Sequence, residues 1–194
     1  MNPVLDHGDL GRLILGALIF VPVFLSTVRL SQTKSWLWPS VLLMLVTLMI
    51  FVASTIFPNR ALVGMKWGLL AAFFALSVVG LFSYLRSARS VTNAHLYTAV
   101  SSYLLLGMLW FALYCAMDVF YPGSFVRGNN TLTDRQSELL YFSLVTLSTI
   151  GYSDMFRFTV RPSILTALGG IGVLYVAITV AILISKYQQQ TPSP

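Results

Sequence analysis

Late in this chain, between two long apolar runs, residues 146–154 read TLSTIGYSD. Thr146, Ser148, Thr149, Tyr152, Ser153 and Asp154 crowd polar side chains around a single glycine, Gly151. One chemistry suits that mix. Backbone carbonyls and a threonine hydroxyl can take the place of the water around a cation. Gly151 permits the positive φ that lets successive carbonyls point at one axis. A short helix ending just before the stretch would aim its negative dipole end at the same place, which favours a cation.

Such backbone needs a setting, and the composition supplies it. Hydrophobic residues make up 57% of the 194 and charged residues 9%; mean hydropathy is +0.80. A soluble domain carries about 25% charged residues, so this chain could not cover its own surface in water. The net charge of +6 does not indicate nucleic acid, because the twelve basic residues are scattered between apolar runs and form no stripe. The only cysteine, Cys115, lies inside an apolar run, so no disulfide forms within the chain. The opening MNPVLDHGDLGR has two acids and no basic run, unlike a cleavable signal.

A bilayer core of about 30 Å takes roughly 20 apolar residues of helix. Five segments meet that requirement: 11–29, 37–57, 63–85, 97–120 and 162–185, the last with Pro162 in its first turn. Trp36, Trp38, Trp67 and Tyr187 fall near span ends, the interfacial belt position. Between the fourth and fifth spans, SELLYFSLVTLS at 137–148 is apolar but about a dozen residues long, too short to cross. Thr133 and Gln136 resemble a capping box that would open this helix, expected over 134–148. Irregular backbone at membrane depth is tolerated only where protein buries it or where it lines a water-filled path. A half-helix followed by STIGYSD fits that exception.

At this point the sequence resembles a family. YFSLVTLSTIGYSD is similar to the pore helix and selectivity filter of the tetrameric potassium channels, whose usual filter reads T-V-G-Y-G-D. Thr149, Ile150, Gly151, Tyr152 and Asp154 match that motif; Thr146 and Ser148 match its upstream Ser/Thr positions; Tyr141 and Phe142 fall where the family keeps two aromatics around the filter. More loosely, the chain is similar to small bacterial ion-channel proteins with extra spans ahead of one pore unit. The resemblance implies an all-α integral membrane protein, five transmembrane helices plus one re-entrant pore helix and filter loop. Residues 1–95 would be a three-helix N-terminal region, 96–187 the pore domain and 188–194 a short polar tail. Within the pore domain it implies an outer helix at 97–120, a pore helix at 134–148, a filter at 149–154 and an inner helix at 162–187.

The function implied is a potassium-preferring cation channel, with no cofactor beyond the permeant K+. Its ions would be coordinated by Thr149, Ile150, Gly151, Tyr152 and, at the outermost site, Ser153. Asp154, Tyr141, Phe142, Thr146 and Ser148 would support the filter and its mouth. Ser153 is a departure, standing where the family has its second glycine. A residue with a side chain at positive φ costs about 1–2 kcal/mol, so a weakly selective monovalent cation pore is the nearest alternative. A channel-like accessory subunit that does not conduct alone is the alternative of another class.

One chain offers one filter strand and the carbonyl ring needs four, so a homotetramer in the bilayer follows from this reading. The family's orientation sets the chain as a multi-pass protein of the bacterial inner (plasma) membrane, N-terminus outside and C-terminus cytoplasmic. All six acids then fall outside, with only five of the twelve basic residues inside. Positive-inside counting therefore opposes this orientation, although four of the outer seven basic residues flank the pore loop. Gly169, Gly170 and Gly172 are a candidate inner-helix hinge, with close packing as the plain alternative. No span carries arginine at every third position, which gives no voltage sensor, and the tail leaves no room for a soluble ligand-binding domain. His7 and His95 read as solvated side chains at membrane ends. Gly64 and Gly68 read as a packing contact. Asp118 is expected to face the vestibule or a nearby arginine. No catalytic constellation is present, so an enzyme is not expected.

Overall fold

The computed structural model describes residues 59–87, 92–127, 135–150, 155–157 and 169–190, with scattered helical residues between 42 and 54. The expected span at 11–29 and much of that at 37–57 lie outside the described residues. The described chain runs α1 (Arg60–Ser87), α2 (Asn93–Phe120), β1 (Phe125–Arg127), α3 (Arg135–Leu147), β2 (Met155–Arg157) and α4 (Ile171–Gln190). Three of these helices, α1, α2 and α4, are long and apolar enough to cross a membrane.

Helices α1 and α2 form an antiparallel pair. Buried positions along α1 fall at Gly64, Trp67, Ala71, Phe74, Ser77, Leu81 and Leu85, the three-and-four spacing of one helical face. The register is read from three levels. Arg60 donates from Nε to the Val119 carbonyl at 2.7 Å and from a terminal nitrogen to the Phe120 carbonyl at 3.0 Å. In the middle, Trp67 meets Phe111 edge-on, with ring centroids 5.3 Å apart. At the far end Tyr84 stacks on His95 at 5.1 Å. Gly64 is what allows the closest approach, since a β-carbon there would stand 2.5 Å from the Phe120 ring. Gly68 has nothing within 4 Å, so only half of the expected glycine pair serves as a contact.

Two buried hydroxyls of α2 satisfy themselves within their own helix. Thr98 donates to the Ala94 carbonyl and Ser102 to the Thr98 carbonyl, at 2.7 and 2.5 Å. His95 departs from expectation: it is buried at 8% exposure. Its Nδ1 accepts the Thr92 backbone N–H at 3.1 Å, the part that Glu or Gln plays in a capping box at a helix start.

Helix α4 joins this pair through few contacts. Tyr175 donates its hydroxyl to the Ala99 carbonyl at 3.1 Å and lies beside Phe82 and Tyr103. Lys186 reaches the Leu85 and Arg86 carbonyls, so the C-terminal ends of α1 and α4 lie at the same end of the bundle. Helix ends overrun the apolar runs. α2 begins at Asn93, four residues before the expected 97, and α4 continues to Gln190 into what reads as a polar tail. Extending a formed helix costs little.

Two three-residue strands were not expected. They pair antiparallel, Phe125 opposite Arg157, Val126 opposite Phe156 and Arg127 opposite Met155.

Candidate functional site

Helix α3 is thirteen residues, about 20 Å long and too short to span. Its bounds fall within one residue of the expected 134–148 at each end; Thr133, of the expected capping box, lies outside the described residues.

Electrostatics fix where α3 enters. Asp118, in the last turn of α2, pairs with Arg135, the first residue of α3, Nε to Oδ2 at 2.5 Å. Each charge alone sits at the wrong end of its own helix: an acid at a C-terminus, a cation at an N-terminus. Pairing them offsets both mismatches and ties the start of α3 to the end of α2. This is the nearby arginine that the sequence offers Asp118. Glu138, in the first turn of α3, has the sign that the dipole favours there.

Packing then fixes where α3 stops, and glycines on two helices make the room. A β-carbon at Gly107 would meet Leu144 Cδ2 at 2.8 Å and Leu147 Cδ2 at 3.4 Å. One at Gly169 would meet Thr146 Cγ2 at 2.7 Å and Tyr114 Oη at 3.1 Å. One at Gly172 would strike the Leu147 carbonyl oxygen itself. The last turn of α3 therefore sits in a socket lined by the middle of α2 and the start of α4. Gly107 lies eleven residues before Asp118 on α2, about 16 Å along its axis. So α3 enters at the Asp118 end, ends near the mid-length of α2, and β2 returns the chain to β1 beside the end it entered from. Of the three candidate hinge glycines, Gly169 and Gly172 have a packing role, while the Gly170 carbonyl accepts the Val173 N–H at 3.2 Å.

The aromatic pair is divided between the two faces of α3. Phe142 is buried at 3% exposure, 5.1 Å from Tyr114 and 5.8 Å from Phe125, in a cluster that Trp110 extends. Each such ring pair contributes about 0.5–1.5 kcal/mol beyond its buried area. Tyr141 lies on the opposite face, 54% exposed.

After α3 the backbone tightens. Ser148 N–H donates to the Leu144 carbonyl at 3.0 Å and Thr149 N–H to the Thr146 carbonyl at 3.1 Å. Ser148 Oγ donates to the Val145 carbonyl at 3.1 Å and Thr149 Oγ1 to the Ser148 carbonyl at 2.7 Å. Thr149 has φ of +57° and is the only non-glycine residue of positive φ among the described residues. A β-branched side chain there costs about 1–2 kcal/mol. Strain of this kind gathers where a structure holds backbone for a purpose. Sequence reasoning assigned positive φ to Gly151, not to Thr149, and no residue type announces the change. Ile150, the next residue, is 57% exposed. Gly151, Tyr152, Ser153 and Asp154 lie outside the described residues.

The site therefore consists of a short helix anchored by Asp118–Arg135, seated in the Gly107–Gly169–Gly172 socket, and followed by strained backbone at Thr149. No protein-family model matches the chain, and neither curated proteins nor solved structures give a match, so the reading of this site rests on its residues and their geometry.

Proposed function

We propose that the chain assembles as a homotetramer in the bacterial inner membrane and conducts monovalent cations, potassium preferred, through a filter that begins at Thr149. One observation carries the reading. The helix that leads into TLSTIGYSD ends against the middle of α2 and the start of α4, two apolar helices long enough to span a membrane, and the chain then returns to the side it came from. Irregular backbone at that depth needs either a protein cover or a polar path, and Ile150 is uncovered in the single chain.

The mechanism follows from what that placement offers an ion. Carbonyls of Thr149 to Tyr152, with the Thr149 hydroxyl, would replace part of the hydration shell, four copies closing a ring that one strand leaves open. The C-terminal end of α3 adds the negative end of its dipole near the same depth. Tyr141, exposed at 54% on the face of α3 away from Phe142, suits contacts with neighbouring copies. The glycines where α4 leaves the end of α3 are where that helix would bend. Ser153 in the place of a glycine favours the second reading, a weakly selective monovalent cation pore.

The particle mass in detergent, with the detergent's share subtracted, tests this proposal. Four chains of 21.5 kDa are expected. A monomer or dimer would remove the ring and with it the filter. A second check is potassium efflux from vesicles holding the purified protein, which the accessory-subunit reading says will not occur.

A further inference from the structure

The geometry points to Lys186 as a clasp by which α1, a helix outside the proposed pore unit, holds the cytoplasmic end of α4 and so biases the channel's gate. Lys186 Nζ donates to the Leu85 carbonyl at 3.0 Å and the Arg86 carbonyl at 2.6 Å. These are among the last carbonyls of α1, which have no partner within their own helix and carry the negative end of its dipole. A lysine ammonium meets both needs at once. The contact joins residues about a hundred positions apart, the bond to Leu85 half-buried and that to Arg86 exposed, so it is not a surface side chain closing on its sequence neighbours.

The receiving end is rigid. Next to Leu85, Tyr84 stacks on His95, whose Nδ1 caps α2 through the Thr92 N–H. At its other end α1 is tied down by Arg60 on the Val119 and Phe120 carbonyls. By contrast α4 is loosely held. Above Lys186 its tie to α2 is the Tyr175 hydroxyl on the Ala99 carbonyl, and only 11% of its most apolar stretch is buried. A rigid α1–α2 pair thus grips a lightly packed helix at its far end.

The gating half of the inference rests on the proposed function. In a tetramer whose axis passes Ile150, α1 packs along α2 on the periphery. A clasp to α1 then draws the end of α4 away from the axis, and releasing it lets that end relax inward.

Two measurements on the full chain separate the clasp from the channel. Spin labels at Ser87→Cys and Tyr187→Cys, in a Cys115→Ala background, report the distance between the two helix ends. Lys186→Met should lengthen and broaden that distribution while Lys186→Arg leaves it near the parent; an unchanged distribution in Lys186→Met overturns the clasp. In bilayer recordings, Lys186→Met should lower open probability several-fold at an unchanged reversal potential, with Lys186→Arg close to the parent. An unchanged or raised open probability overturns the gating role even where the distance grows. Absence of current from the parent overturns the channel reading and the gating role together, and leaves the distance measurement to decide the clasp.

Discussion

Helix α2, in the α1–α2 pair, and helix α4, which receives α3, are equally apolar and are covered very differently. In α2 44% of the most apolar window is buried within the chain, and in α4 11%, although both windows have mean hydropathy of 1.7. α1 and α2 pair face to face along their length, with ring contacts and capped ends. Among the described residues α3 and α4 meet at one socket, and α4 leaves Ile171, Val173, Leu174, Val176, Ile178, Val180 and Ile184 exposed. Apolarity alone therefore does not say what a helix packs against. The first pair covers a third to nearly half of its apolar stretches within the chain, whereas α4 leaves almost all of its own for lipid or further copies of the chain to cover, as the proposed tetramer requires.

The sharpest way to break this contrast is to fill the socket. Gly172→Leu drives a side chain into the Leu147 carbonyl, where flexible side chains cannot make room. Overpacking costs about 1–3 kcal/mol where neighbours can shift and more against fixed backbone. We expect the tetramer to be lost in size-exclusion chromatography while circular dichroism keeps α1 and α2 helical. Gly68→Ala is the matching change in the first pair. With nothing within 4 Å, it should be neutral or stabilise by up to about 1 kcal/mol through helix propensity.

Removing the anchor of α3 comes next. Asp118→Asn leaves Arg135 without its ion pair, but Arg135 is 44% exposed on its side chain, so water screens much of the loss. A destabilisation of about 1–3 kcal/mol is expected from thermal unfolding in detergent, below the cost of breaking a fully buried pair. Its effect should fall on α3, read as faster amide exchange in 135–147 than in 93–120. Equal acceleration in both would show that Asp118 belongs to the first pair and not to the site.

The smallest effect sharpens the picture of capped ends. Arg60→Met removes two exposed hydrogen bonds to the final carbonyls of α2 and should cost about 1 kcal/mol. Ion selectivity should be untouched, because the hydrogen bonds of Arg60 end on the last carbonyls of α2 and not on α3.

What could be read from the sequence follows the same division. Long apolar runs locate α1 and α2 within a few residues, since about 20 such residues have little option but to span. The ends were less legible, because Arg60 and the Thr92–His95 cap extend helices past their apolar stretches. Helix α3 was legible by being too short to cross and flanked by polar residues. Its socket was not. Gly107 looks like any mid-helix glycine until Leu144 and Leu147 are placed against it. The β1–β2 pairing joins three-residue segments about thirty positions apart with no alternating pattern to mark them. The partners of Lys186 and His95, the latter read as a solvated side chain, are set by helix packing and not by sequence neighbours. The left-handed backbone at Thr149 runs against residue type altogether.

The central claim is that Thr149 to Tyr152 form a potassium-preferring filter, and the reversal potential tests it most directly. Purified protein in a planar bilayer, with potassium on one side and sodium on the other, should reverse near the potassium equilibrium potential. Clear current reversing near zero would contradict potassium preference and assign the protein a non-selective cation pore, with Ser153→Gly then expected to restore selectivity.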